Sequence, residues 1–385
     1  MALYLTFVLA FLAFVTFTAT RMLLSLFALH LGASPFAVGV IGALFWIFPM
    51  LLSWPIGAAS DRFGSRWLLV AGSLAGVGGL LVPGFFDSVE AAYAAATLGG
   101  LSLSVYNVAM QNIVGQISAP EHRTRNFANF MVIGSLSSFV GPLVTGFFID
   151  HVGYSSASLI LVVVPLLGLI LLLARGSLLP RGSPPPPGSG QKRAAASLSG
   201  PHMRSTLLLG AAVTLGTDMF QFYLPVYGHQ LGMTASVIGV MTGCLSVASF
   251  VARLFIGRLI SIMGEERLLT VTMLLGALAY LLVPFAGSAL TLGAISVLFG
   301  LSMGCGQPLT VMLAYSLAEA GRAGETLGLR LTVNNLARVI GPLFFGFVAT
   351  AFGMLPMFWL NGLLLGGSGL ISRGRERPAH GKESE

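Results

Sequence analysis

Charge is what this sequence has least of. Only 9% of its 385 residues are Asp, Glu, Lys or Arg, 55% are hydrophobic, and the mean hydropathy is +0.88. Soluble domains carry about 25% charged residues, so this chain cannot cover a water-facing surface. Cysteine is nearly absent too. Cys244 and Cys305 fall inside apolar segments in different halves, which excludes a disulfide framework or a cysteine metal site. No Gly-x-x-x-x-Gly-Lys-(Ser/Thr) occurs, so nucleotide hydrolysis has no support. No cluster of His, Asp, Glu or Cys gathers at one membrane face, as a membrane enzyme would need. A non-enzymatic protein without cofactor or metal is expected. Ten-residue segments of alternating polarity are also missing, which excludes a membrane barrel.

What is present is long apolar helix-forming sequence. Twelve such segments centre near residues 16, 47, 76, 103, 137, 164, 218, 247, 277, 303, 338 and 364. Runs such as 159–174 carry no charge, and with their flanks reach the roughly 20 residues a helix needs to cross a bilayer. The first run is too long for a signal peptide and lacks a basic leader and a small-residue cleavage site, so it reads as the first helix. The expectation is an all-α membrane protein in contact with a lipid bilayer.

The net charge of +7 does not point to nucleic acid, because of where the charges sit. With a cytoplasmic N-terminus, the inner loops and tail hold Arg62, Arg66, Arg123, Arg125, Arg181, Lys192, Arg193, Arg204, Arg267, Arg322, Arg375, Arg377 and Lys382. Arg175, Arg253, Arg258, Arg330 and Arg373 lie on adjoining helix ends. The outer loops contain no Lys or Arg, only Asp87, Glu90, Asp150 and a few His. That is the positive-inside asymmetry, with both termini cytoplasmic and an even helix count.

Residues 175–204 break the pattern with the Pro-, Gly- and Ser-rich run 181–193, an extended solvated linker. It separates a six-helix bundle over 1–174 from a second over 205–372, and 373–385 form a cytoplasmic tail. The halves are related. A shift of 200 positions carries Gly32, Gly39, Gly57 and Gly64 onto Gly232, Gly239, Gly257 and Gly264. It carries Gly141-Pro142, Gly146 and Gly153 onto Gly341-Pro342, Gly346 and Gly353, and Asn107 onto Gln307. Glycine and proline mark close approach or bending, which a repeat keeps. Parallel repeats build a cleft between the halves, and alternating access moves one half against the other.

The short loop after the second segment reads Gly57-x-x-x-Asp61-Arg62-x-Gly64-x-Arg66. It resembles the signature of the major facilitator superfamily, departing at Ser65, where a base is usual. Topology and linker extend the resemblance over nearly the whole chain. The second-half copy keeps Gly257 and Gly264 but has Ser261 in place of the acid. The resemblance implies a cytoplasmic latch that favours the outward-facing state, with Asp61 set against the start of helix 11 near Glu325–Leu327 and against Arg123 or Arg125. An anion suits a helix N-terminus and pairs with arginine at partly buried depth. The fragment Gly141-Pro142-x-x-x-Gly146, repeated as Gly341-Pro342-x-x-x-Gly346, resembles the Gly-Pro motif of the family's antiporters, with Thr145 replacing a glycine. Packing of a kinked helix through small residues explains it equally well. The membrane arginine of the drug/proton antiporters has no counterpart, residues 96–100 standing about where it would fall.

Ionisable residues deep in a membrane segment are costly and mark function by default. Arg21, Asp218 and Arg338 lie near the middle of segments one, seven and eleven. Helices 1 and 7 face the cavity in this family, so an Arg21–Asp218 pair across it is expected. Thr18, Arg21 and Ser25 share one helix face; Asp218, Gln221 and Pro225 share another; Asn334, Arg338 and Gly341, and Ser104, Asn107 and Gln111, two more. Gln307 joins the candidate lining. Two arginines against one aspartate leave about +1, since arginine stays protonated, and a guanidinium binds carboxylate in bidentate fashion. Asp218 is the one acid available to a lipophilic cation. Paired with arginine it is a poor proton carrier, and a substrate that displaced the arginine would free it.

The reading is a secondary transporter, monomeric and in a bacterial inner membrane as the resemblance implies, with a small-molecule substrate and protons as coupling ion. Proton-coupled export of an amphipathic or carboxyl-bearing compound leads, with proton-symport uptake of an organic anion as the alternative. A transporter-like membrane sensor, the reading of another class, would need an output domain for which linker and tail are too short.

Overall fold

The computed structural model describes residues 1–180, 201–316 and 323–373; within them the side chains of 61, 120, 121, 123, 124, 128, 201, 202, 315, 323–328 and 373 are outside the description. The first half comprises α1 (Ala2–His30), α2 (Pro35–Phe63), α3 (Ser65–Phe85), α4 (Val89–Ile117), α5 (Pro120–Val152), α6 (Tyr154–Leu161) and α7 (Val163–Arg175). The second comprises α8 (Pro201–Gln230), α9 (Ala235–Leu254), α10 (Ile256–Met263), α11 (Glu265–Leu282), α12 (Ala289–Met303), α13 (Gly306–Ser316), α14 (Ala323–Phe352) and α15 (Met354–Arg373). Short breaks at Val162 and at Gly304–Cys305 split single spans, so α6–α7 and α12–α13 each cross as one. No strand occurs among the described residues.

Among the described residues, eleven helical stretches are long and apolar enough to span a membrane. The twelfth expected segment is α4, with 29 residues long enough to cross, but its turns carry Asn107, Gln111, Asn112 and Gln116 and dilute its hydropathy. α8 begins at Pro201, earlier than the linker boundary at 204 suggests.

The 200-residue repeat is visible in the backbone. Side-chain oxygens of Ser34, Ser88, Thr234 and Ser288 cap α2, α4, α9 and α12, two pairs of repeat mates. Each cap is worth about 1 kcal/mol. Among the described residues, those with positive φ are all glycines and fall into three mated pairs, 32/232, 64/264 and 153/353. Gly64 (φ 82°, ψ 157°) and Gly264 (φ 79°, ψ 161°) occupy a region essentially closed to other residues, which turns the chain from one helix into the next.

Two seams join the halves, α2 against α14 and α5 against α9. Glycines let the backbones close. A Cβ on Gly39 would collide with the carbonyl of Pro342, and one on Gly239 with that of Pro142. Gly346 lies on Pro35 and Gly146 on Ala235 in the same paired way. The Gly-Pro fragments are therefore seam elements. At the end of the bundle away from the linker, Phe36 N donates to Thr350 Oγ1 (2.8 Å), and Asp150 accepts from Ala235 N (2.9 Å) and Ser236 N (2.7 Å). Those contacts are repeat mates. They fasten the far end shut. Toward the linker end, α5 and α9 stay joined through Arg253 Nη1 and Ser135 Oγ (3.3 Å).

Candidate functional site

Four helices converge at mid-depth. Arg338 on α14 donates from Nε to Asp218 Oδ2 on α8 at 2.6 Å. Arg21 on α1 stands with Nη1 3.9 Å from Asp218 Oδ1 and donates from Nη2 to the Asp218 carbonyl at 3.1 Å. One carboxylate thus faces two guanidinium groups, and the contact with Arg21 crosses between the halves. Aromatic rings complete the site. The Arg338 guanidinium sits 4.1 Å over Trp46 of α2, and that of Arg21 5.3 Å over Phe222 of α8. The side chains of Asp218, Arg21 and Arg338 are 9%, 13% and 24% exposed, so the group is largely desolvated. A buried pair attracts strongly, but removing one partner strands a charge at a cost of about 3–5 kcal/mol.

Beside the triad lies a cavity of about 430 Å³ including its mouth. Thr18, Arg21 and Ser25 line it from α1, and Gln221, Phe222 and Pro225 from α8, the two faces expected from helical spacing. Other expected residues sit elsewhere. Gln307 is held by Thr214 Oγ1 (2.7 Å), to which its Nε2 donates, while its Oε1 accepts from Arg330 Nη2 (3.0 Å). Asn334 is buried. Asn107 accepts from Gln111 along α4 (2.5 Å), and Gln111 is exposed.

The loop at 61–66 is only partly described. The side chains of Asp61, Arg123 and Glu325–Leu327 lie outside the described residues, as do Arg181, Lys192, Arg193, Arg322, Arg375, Arg377 and Lys382. Arg62 is exposed and stacks on neighbouring Phe63; Arg66 donates to the Leu173 carbonyl of its own half (3.3 Å); Arg125 is exposed. Gly57 and Gly257 sit in open or ordinary contact, so the glycines that shape the loop are Gly64 and Gly264.

Three residues escape sequence reading. Trp46 reads as an apolar helix residue until Arg338 lies on it. Asp150 reads as an outer-loop charge but caps α9 across the seam. Arg330 reads as a helix-end charge but is 5% exposed. A signal was available for the last: it stands eight residues, on one helix face, before Arg338.

The comparisons with known proteins agree with this architecture. Multidrug resistance protein MdtG of Klebsiella pneumoniae (strain 342) is 22% identical over 328 residues, covering 83% of this chain and 79% of that protein. An MFS-type transporter of Methanocaldococcus jannaschii is 20% identical over 355 residues, covering 91% and 92%. Among solved structures, a POT family transporter in complex with 5-aminolevulinic acid superposes with a TM-score of 0.80 at 16% identity, covering 96% of this chain and 94% of that one. The nucleoside transporter NupG superposes at 0.78 with 14% identity, covering 97% and 99%. These likenesses show the fold. The family model of the Major Facilitator Superfamily matches residues 6–230 and 206–385, so this chain belongs to that superfamily of membrane transporters.

Proposed function

We propose that this transporter moves a small organic solute with an anionic group, a carboxylate above all, by alternating access, and that Arg21, Asp218 and Arg338 form its binding site. The observation that carries the reading is the pair of guanidinium groups on the single Asp218 carboxylate. Their sum is about +1 in a desolvated place, where an anion is attracted and a cation repelled. A solute carboxylate competes with Asp218 for the arginines, bidentate where geometry allows. Because Arg21 belongs to the first half and Arg338 to the second, that exchange changes what holds the halves together. The apolar flank of Phe222 and Pro225 suits an amphipathic body.

Asp218, released from its arginine, is the group to carry a proton, which couples transport to protons. The likeness to MdtG favours export as the direction. The excess of arginine in the linker-end loops supports that end as the cytoplasmic one, in an inner membrane. In this state the far end is shut, so the site is served from the linker side. The protein works as a monomer, with the halves 1–174 and 205–372 as the moving bodies.

The test is thermal stability of the purified protein against organic anions, lipophilic cations and neutral sugars. Wild type is compared with Arg21→Gln, Arg338→Gln and Asp218→Asn. Binding at a hundredfold excess over Kd stabilises by about 2.7 kcal/mol. Anion stabilisation lost in either arginine variant is expected. Stabilisation by cations that depends on Asp218 alone would overturn the reading.

A further inference from the structure

The second half contains a guanidinium that the triad does not use. Arg330 on α14 is 5% exposed and has no ion pair among the described residues. Its Nη2 donates to Gln307 Oε1 and Thr310 Oγ1, both at 3.0 Å. Its Nε is buried without a partner, and so is Oδ1 of Asn334, itself 3% exposed. The two orphaned atoms face one spot. Each lies 3.7 Å from where a Cβ on Gly210 of α8 would be, with Thr310 Cβ at 3.8 Å. A methyl on Gly210 would sit there at ordinary contact distance, so the spot between the two atoms is the size of one methyl group or one oxygen.

The repeat shows that this polar cluster is no requirement of the fold. Shifted by 200 positions, Arg330, Thr214 and Thr310 correspond to Phe130, Phe14 and Met110, and Gly210 to Ala10. In the first half these form apolar packing, with Phe14 and Phe130 edge to face at 5.6 Å. The same place in the second half holds an uncompensated positive charge, an unmet N–H and an amide. Rotation of the Asn334 amide exchanges oxygen for nitrogen, so both groups can donate to one acceptor. A buried charge without a counter-charge is costly, and an anion relieves it.

We propose that Arg330 and Asn334, over Gly210, form a second anion site, which takes one oxygen of a small oxyanion such as a carboxylate. Eight residues along α14 place it about 12 Å from Arg338 on the linker side. An anion that reaches Arg330 from that end is held about two helical turns before the paired arginines. This role on the path rests on the reading of the bundle as a carrier of anionic solutes, while the site itself stands on the orphaned atoms.

The experiment titrates full-length purified protein with sodium formate against a sodium chloride background at constant ionic strength and follows the thermal midpoint. Arg338→Gln serves to weaken the first site. Formate still stabilises that variant, and adding Gly210→Ala, whose methyl fits at ordinary contact distance, or Arg330→Gln raises the half-saturating concentration at least tenfold. If Arg338→Gln does not fold, wild type against Gly210→Ala decides, since one of two titration components is lost. Formate responses unchanged by Gly210→Ala overturn the second site and leave a cluster that holds water. A response abolished by Arg338→Gln alone overturns it too while supporting the paired arginines. A response lost in Gly210→Ala but indifferent to Arg21 and Arg338 supports this site and counts against the triad as the anion site.

Discussion

Removing the Asp150 carboxylate should open the far end of the molecule. Asp150 ends α5, in the first half, and its two oxygens accept from the first backbone N–H groups of α9, in the second. It acts as a helix cap supplied from the other side of the seam. An anion at a helix N-terminus gains from both the orphan N–H groups and the dipole. Asp150 is exposed, so solvent competes, and about 1–2 kcal/mol is a fair value, in the range of measured caps. This energy exists only while the far ends touch. Asp150→Ala therefore shifts the balance toward far-end opening by about 5- to 30-fold. Asp150→Asn, which keeps one acceptor without the charge, should move it less.

Nitroxides placed at Val152→Cys and Leu231→Cys, both exposed and on opposite halves of the far end, report that opening as a long-distance population in pulsed electron resonance. Cys244 and Cys305 are free thiols and are first replaced by alanine. The repeat supplies an internal check. Thr350 Oγ1 accepts from Phe36 N at the matching place, as a neutral acceptor of one hydrogen bond, so Thr350→Val should give a smaller shift in the same direction. An unchanged distance distribution in Asp150→Ala, with folding intact, would refute the cap as a latch.

The seam glycines give a second prediction. Gly39→Ala and Gly239→Ala should each lower the thermal midpoint although alanine favours helix by up to ~1 kcal/mol, because the methyl meets a proline carbonyl across the seam; Gly134→Ala, with open space, should not. Gly64→Ala places a side chain at φ 82°, ψ 157° and should cost about 1–3 kcal/mol in denaturant unfolding, and Gly264→Ala the same. Trp46→Leu removes the ring under Arg338, worth about 2 kcal/mol when desolvated, and should destabilise more than Trp46→Phe; equal losses would show that only volume matters there.

The triad was legible because charge in a membrane segment is costly, so that Arg21, Asp218 and Arg338 stand out against apolar neighbours. Helical spacing then put Thr18 and Ser25 with Arg21, and Gln221 and Pro225 with Asp218, where the cavity has them. Glycine positions exposed the repeat for an equally physical reason: positive φ and backbone contact across a seam admit nothing larger. What stayed hidden depends on distance through space. Trp46 has no polar signature, and its value comes from an arginine 292 residues away in sequence. Arg330 lies near a helix end, where a basic residue ordinarily reaches water, and only the fold turns it inward. Gln307 reads as cavity lining but is drawn off by Arg330 and Thr214, which hydrophobic spacing cannot foresee.

The repeat also bears on how a solute would lie. The mates of Arg21, Asp218 and Arg338 are Gln221, Thr18 and Ser138, and all three line the same cavity. The site is thus one constellation present twice about the axis between the halves, charged in one copy and neutral in the other. Charging both would bury a further unbalanced set of ions, each at several kcal/mol. Charging one makes the cavity polar from side to side. For the solute proposed above, an anionic head would go to the arginines and an apolar body toward Ser138 and Pro142, which α5 supplies in the neutral copy. A solute charged at both ends has no such orientation. Among dicarboxylates and monocarboxylates of equal length, the monocarboxylates should therefore bind the paired arginines better, as read by the thermal midpoint. A preference for dicarboxylates that survives Gly210→Ala would mean that the neutral copy also receives charge, and the asymmetry argument would fail.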